Sequence, residues 1–305
     1  MTLIFAALLD ALFGEPRAVW SRLPHPAVLI GRAIGWADAR WNAGDNRRMK
    51  GVALTAALCL SAWITGVVIE ALPMGTMLSV VLAAILLAQR SLSDHVRAVA
   101  RALRLSTGDG RKSVAMIVGR DTKDMDAGAV ARGAIESAAE NLSDGVIAPA
   151  FWFALFGLPG LLVYKAINTA DSMVGYLTPR HAEFGWASAR LDDVVNWIPA
   201  RLTAALTLGV MLIRQQELPS IGALQADAGK HRSPNAGWPE AAFSRALGIA
   251  LSGPRSYEGR LREFPFVNPE GRRDTTPDDI DNAVRLMWQV WALGLALLTL
   301  IALFA

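Results

Sequence analysis

Three long apolar stretches stand out along the chain, at residues 51–89, 146–164 and 287–305. All 30 Lys and Arg lie outside them, and the only acid they hold is Glu70. A shorter apolar run, "MTLIFAALLDALF", opens the chain at residues 1–13. A bilayer is the solvent that separates charge from apolar sequence so cleanly, because ionised side chains are expensive in hydrocarbon. Residues 51–89 suffice for two crossings, each roughly 27 Å long at the α-helical rise. Pro73 and Gly75, within "EALPMGT", make the turn between them. Arg40, Arg47, Arg48 and Lys50 precede this transmembrane hairpin, and Arg90, Arg97, Arg101 and Arg104 follow it. The positive-inside rule puts both ends in the cytoplasm.

The other segments follow the same logic. Residues 1–13 fall short of the about 20 needed to span. They lack the basic start and small-residue cleavage site of a signal peptide. They read as a helix dipping into one leaflet, with Asp10 facing protein or water. The linker 14–32 holds Pro16, Pro24 and Pro26, which forbid one continuous helix. Residues 90–145 are polar and helical in pattern. Within them "GDGRKS" (108–113) departs from a phosphate-binding loop, because Arg111 separates Gly from Lys, and it reads as a turn between helices. Residues 146–164 could cross once on length alone. They also contain Pro149, Gly157, Pro159 and Gly160, so a re-entrant hairpin turning at "GLPG" is expected, which returns 165–194 to the cytoplasmic side. Arg201 makes 194–213 a poor lipid-exposed span. Residues 214–286 read as cytoplasmic and 287–305 as the last span. The expected fold is an all-α integral membrane protein, one domain over 1–305. A transmembrane hairpin, broken re-entrant helices and a C-terminal span surround a cytoplasm-facing polar cavity.

Composition supports this. The chain is 53% hydrophobic and only 19% charged, against about 25% in soluble domains. The net charge of +3 is spread over every polar loop, which argues against nucleic-acid binding. The single cysteine, Cys59, cannot form an intramolecular disulfide and reads as a small buried thiol.

The polar segments flanking the broken hairpin carry the candidate chemistry. Glu136, Glu140 and Asp144 fall at i, i+4 and i+8, one helical face, which is either a solvated stripe or a site for a cation or basic ligand. Lys165, Asn168, Thr169 and Ser172 share another face, with Asp171 pointing elsewhere. Asp192 and Asp193 read either as helix-start acids or as magnesium ligands. Lys230, His231, Arg232 and Asn235 precede a helix start at Glu240, an arrangement suited to an anion. Carboxylates and bases together suit metal-assisted phosphoryl or acyl-phosphate chemistry.

The motifs "GRDT" (119–122), "ESAAENLSDGVIAPAFWFALFGLPG" (136–160), "YKAINTADSMVGY" (164–176), "RLDDVVNWIPAR" (190–201) and "SPNAGWPEAA" (233–242) resemble the adenosylcobinamide-phosphate synthase family of cobalamin biosynthesis, CobD/CbiB. "LPHPAVLIGR" (23–32) is similar to its N-terminal His-Pro segment. The resemblance covers nearly the whole chain in order, and is least specific over 255–286 and the C-terminal span. It implies an inner-membrane ligase with its active site facing the cytoplasm. Such an enzyme uses ATP and Mg²⁺ to join (R)-1-aminopropan-2-ol O-phosphate to a propionate carboxylate of adenosylcobyric acid. Other late membrane enzymes of the pathway are candidate partners, alongside the lipid bilayer. On this reading Asp144, Asp171, Asp192 and Asp193 are candidate metal ligands, with Glu140 in the same acidic pool. Lys165, Asp171, Glu140, His25 and His231 are candidate catalytic groups, a histidine accepting the amine proton. Arg120, Arg190 and Arg232 are expected to meet phosphate oxygens, while Asn141, Asn168, Ser172 and Asn235 bind substrate. A transporter is the competing reading, which inverted repeats would favour; none is visible. A non-catalytic scaffold would not need so many acids and bases.

Overall fold

The structure, a computed structural model, describes residues 1–15, 20–257 and 259–304. Residues 16–19 of the proline linker, Pro16 among them, lie outside that description. The chain forms two compact units, one from residues 1–88 and 144–197 and one from 89–143 and 198–305. Four helical stretches are long and apolar enough to cross a membrane by length and composition: 47–70, 75–105, 127–174 and 277–304. They mark a membrane protein.

The first unit begins with α1 (Thr2–Phe13), on which Asp10 is buried. Then α2 (Pro26–Trp41) starts where the linker reading ran on to residue 32. His25 caps it by accepting the Ala27 N–H, and Pro26 occupies the first turn, where its missing N–H is harmless. The expected hairpin is present as α3 (Arg47–Glu70) and α4 (Gly75–Leu86), joined by a four-residue turn. A π-turn at Ser143–Ile147 leads into α8 (Ala148–Val174), and α9 (Trp186–Val195) closes the unit.

α8 is not one straight rod. Phe156 and Gly157 leave helical geometry, and Gly157 takes φ 63°. Beyond them Tyr164 Oη lies 2.9 Å from the carbonyl oxygen of Asp144, twenty residues back. A straight helix would separate these residues by about 30 Å, so α8 folds into two antiparallel limbs at the first glycine of "GLPG". The carboxylate of Glu70, at the end of α3, accepts the Leu158 N–H at 2.7 Å and so caps the returning limb. Gly66 allows α3 to touch the hairpin: a Cβ there would lie 2.5 Å from the Cα of Pro159. Further along, Ile34, Ala37, Leu54, Ala170, Val174 and Phe184 form a buried core that clamps α2 and α3 onto the returning limb.

In the second unit, α5 (Gln89–Leu105) buries Leu92, Val96, Val99 and Leu103, a helical stripe, while its charged face stays in solvent. It packs with α6 (Thr107–Val114), α7 (Ala127–Leu142) and α13 (Pro277–Phe304). Arg104 ties α5 to the start of α13 through Asp278 (2.5 Å) and Asp281 (2.7 Å). The remaining helices are α10 (Trp197–Ile213), α11 (Ile221–Ala228) and α12 (Gly237–Leu247).

Four expectations are corrected here. "GDGRKS" is helical, lying in α6, because Ser106 caps it by accepting the Asp109 N–H. The fold is not purely helical: β1 (Leu251–Ser252) pairs antiparallel with β4 (Phe266–Val267), and β2 (Arg255–Tyr257) with β3 (Arg260–Arg262). Gly253 and Gly259 adopt positive φ in this segment, supplying its turns. The last helix begins at Pro277, ten residues before the apolar run at 287, because Asp279 accepts the Thr276 N–H and caps it. Finally, α12 starts at Gly237, which places Glu240 inside its first turn.

Gly157→Ala forces a Cβ within 2.5 Å of Glu70 Oε1 at a positive φ. It should lower stability by roughly 1–3 kcal/mol, read as thermal unfolding in detergent. Gly222→Ala, with nothing within 4 Å, is the control. Equal melting of both variants would contradict the hairpin geometry.

Candidate functional site

The returning limb of α8 and the end of α9 meet in the first unit. Tyr164 Oη lies 2.9 Å from Asn196 Oδ1 as well as from the Asp144 carbonyl, so one phenol pins the π-turn and the residue closing α9. The Asn196 side chain also bonds the Asp192 carboxylate. Asn168 Nδ2 lies 3.4 Å from Asp192 Oδ1. The carboxylates of Asp171, Asp192 and Asp193 act on one another, and Lys165 feels the charges of Asp144 and Glu15. Burial pushes the Asp192 carboxyl up to about 7, the charge of Asp171 adding to the rise.

Several expected roles change. Asp171 was expected to point away from its neighbours, yet its charge acts together with those of the α9 carboxylates. Asp192 and Asp193 are not helix-start acids. They occupy the last turn of α9, where the helix dipole disfavours anions, so the capping explanation for them lapses. The Thr169 and Ser172 hydroxyls bond back to the carbonyls of Lys165 and Asn168, at 2.6 and 2.8 Å. Arg190 is exposed, 3.5 Å from Asp193. The ring of His25 is engaged at both nitrogens: Nδ1 accepts from Ala27, and Nε2 faces the Ile85 carbonyl at 3.3 Å.

Among the described residues, no three His, Cys, Asp or Glu side chains are grouped to hold a metal ion. Magnesium takes one or two carboxylates and completes its shell with water and phosphate oxygens. The Asp171, Asp192 and Asp193 group, beside the Asn168 amide, fits an ion that arrives with a phosphate better than a resident one.

The second unit holds a separate cluster. Glu136, 4% exposed, accepts from Arg120 (2.6 Å) and from the Ser252 N–H (2.6 Å), with Arg255 at 3.3 Å. The first carboxylate of the acidic stripe is therefore an ion-paired anchor and not solvated. Glu140 is half-buried on the same helix, and Asn141 donates to the Ser137 carbonyl at 2.9 Å. The π-turn breaks the helical register where Asp144 falls, so the three acids do not continue one regular face.

Glu240 is buried, with His231 Nε2 3.8 Å away. Burial pushes its carboxyl well up, and the charge of Glu136 adds to this. Burial and the Arg255 charge push His231 down, so both groups favour their neutral forms. Lys230 belongs to a structural network: Asp227 binds Lys230 at 2.6 Å, Arg245 at 2.5 Å and the Asn268 N–H at 3.1 Å. Arg232 stacks on Phe264 at 4.7 Å. Asn235 accepts from Arg201 at 3.3 Å, and Arg201 lies over Trp238, which satisfies the cation in the apolar run of α10.

Arg255, Glu240 as a buried acid, and Tyr164 are the members that the sequence reading missed. Arg255 sits in a segment of weak motif, and only the β-hairpin brings it to Glu136.

The family model described as CobD/Cbib protein matches residues 3–287. The chain is 47% identical to "Cobalamin biosynthesis protein CobD" of Brucella anthropi, covering 95% of this chain and 93% of that one. It is 48% identical to the protein of that name from Brucella suis biovar 1, covering 96% and 94%. Rhodobacter capsulatus has another at 43%, covering 93% and 91%. No solved structure matches the chain.

Because the pKa of Glu240 is raised in the folded state, its contribution to stability is full below the ordinary Glu range and is lost as pH rises through the folded value. Glu240→Gln should therefore flatten the fall in melting temperature as pH rises above the ordinary Glu range. If the parent and the variant show parallel pH curves, Glu240 is not protonated in the fold.

Proposed function

The chain belongs to the CobD/CbiB family of cobalamin biosynthesis, and on that premise we propose that it is the ATP-dependent ligase joining (R)-1-aminopropan-2-ol O-phosphate to adenosylcobyric acid. The observation that carries this reading is the gathering of Asn168 and Asp171 on the returning limb of α8 with Asp192 and Asp193 of α9.

The reaction explains the residue types. A carboxylate resists amines because its leaving group would be oxide. Attack of the propionate oxygen on the γ-phosphorus of ATP gives an acyl phosphate and ADP. The neutral amine then adds to the acyl carbon, gives up a proton, and phosphate leaves as the amide forms. Lys165 and Arg190 offset phosphate charge, and Asn168 offers an amide to the amides of the corrin rim. Both nitrogens of His25 are committed, which leaves it no free position for the amine proton. One or two of Asp171, Asp192 and Asp193 would hold magnesium, which when bound neutralises phosphate charge.

The hairpin suggests how such a site is set on a membrane. The first limb, from Asp144 to Phe156, is about 18 Å long, short of the about 30 Å hydrocarbon core. We take it to enter and return on the cytoplasmic side of the inner membrane, with the polar residues at its base.

Two experiments test this. Purified protein in detergent, given adenosylcobyric acid, ATP, Mg²⁺ and the amine, should yield adenosylcobinamide phosphate by mass. Asn168→Asp and Lys165→Gln should melt normally and lose about a hundredfold or more in turnover. Near-normal turnover in both removes the limb from the site. For orientation, cysteines at Thr178 and Arg97, in a Cys59→Ala background, should be labelled only from the cytoplasmic side. Labelling of position 178 from outside intact cells would overturn the re-entrant reading.

A further inference from the structure

The second unit contains a cleft of about 330 Å³. Arg120, Arg132, Ser252, Arg255 and Ser256 are among the residues lining it. From these residues we infer that the cleft binds a phosphoryl group through the guanidinium groups of Arg120 and Arg255, with Arg132 at the rim.

The side chains of Arg120 and Arg255 are 8% and 11% exposed, and one carboxylate, Glu136, lies against both. Glu240 acts on both arginines as well, and because its burial favours the neutral form it offsets them less than Glu136 does. Hydrogen bonding shows a deficit: the Nε of Arg120 and the Nε of Arg255 are both buried without a partner among the described residues. Buried N–H groups of charged side chains are costly to leave unmet, so an acceptor is expected there. A guanidinium presents its donors as a planar fork that matches two oxygens of a phosphate.

Asp121, Asp124 and Asp126 also line the cleft. Asp121 accepts from the Ser256 hydroxyl at 2.9 Å and the Gly259 N–H at 2.7 Å, and Asp126 accepts from the Ala129 N–H at 2.6 Å. Both are held by donors of their own. Asp124 is exposed. Arg132 donates to the Arg273 carbonyl at 3.3 Å, and it makes no bond to Glu136 among the described residues.

Two ligands of the reaction proposed above carry phosphoryl groups, the nucleotide and the aminoalkyl phosphate. Only the choice between these sources rests on that reading; the anion chemistry stands on the arginines. The test is calorimetric titration of full-length protein in detergent, with Mg·ATP in one arm and aminopropanol phosphate in the other. Arg255→Lys keeps the charge and loses the fork, Arg255→Gln loses both, and Arg132→Gln leaves the Glu136 pair intact. Thermal unfolding and adenosylcobyric acid binding, read from corrinoid absorbance, report the fold separately. We expect Arg255→Lys and Arg132→Gln to weaken one of the two phosphorylated ligands by about tenfold or more, with corrinoid binding unchanged. The arm that weakens identifies the source. Unchanged affinity in both arms for these two variants overturns the site, even if Arg255→Gln fails to fold. A wild-type protein that binds the phosphorylated ligand and forms no amide would sink the proposed reaction while leaving the cleft in place.

Discussion

The hydrogen bond from the Leu158 N–H to Glu70 Oε1 is the interaction on which the first unit depends. When a helix reverses inside an apolar environment, backbone donors are freed with no water to receive them. Glu70, the only acid of the three long apolar stretches, supplies the acceptor. Gly157 supplies the backbone conformation, and Gly66 lets α3 come close enough to hold both in place. With the reversal fixed, Tyr164 returns to Asp144, and Lys165, Asn168 and Asp171 are carried to α9.

The second unit depends on a different constraint, a carboxylate that is buried because it is paired. Taking Glu136 out of water is repaid only by close cations and a backbone donor, and Arg120, Arg255 and the Ser252 N–H provide them. The consequence is topological. A short β segment far along the chain is held to α7 by charge, through Ser252 and Arg255. Asp227 does the same for α11, α12 and the strand end at Asn268.

Both units place charge where the local backbone does not favour it. Asp192 and Asp193 sit at the negative end of a helix, and Asp192 is buried enough to be raised to about 7. Groups shifted in this way gather at functional sites because binding a counter-ion there recovers the cost.

The sequence by itself determined the membrane segments, the hairpin at Pro73 and Gly75, and the break at "GLPG", because these follow from apolar length and from Gly and Pro, which act locally. It also determined the family, through polar motifs kept in order. It misjudged "GDGRKS" and the start of the last helix, where a single serine or aspartate cap outweighs the surrounding pattern, and it placed the start of α12 three residues late. It could not say which acids are anchors and which are working groups. Glu136 and Asp192 are the same kind of residue in motif and spacing, yet Glu136 meets two arginines and Asp192 meets other carboxylates. That difference is made by partners distant in sequence, Arg255 for the one and Asp171 for the other, and so only the tertiary structure decided it.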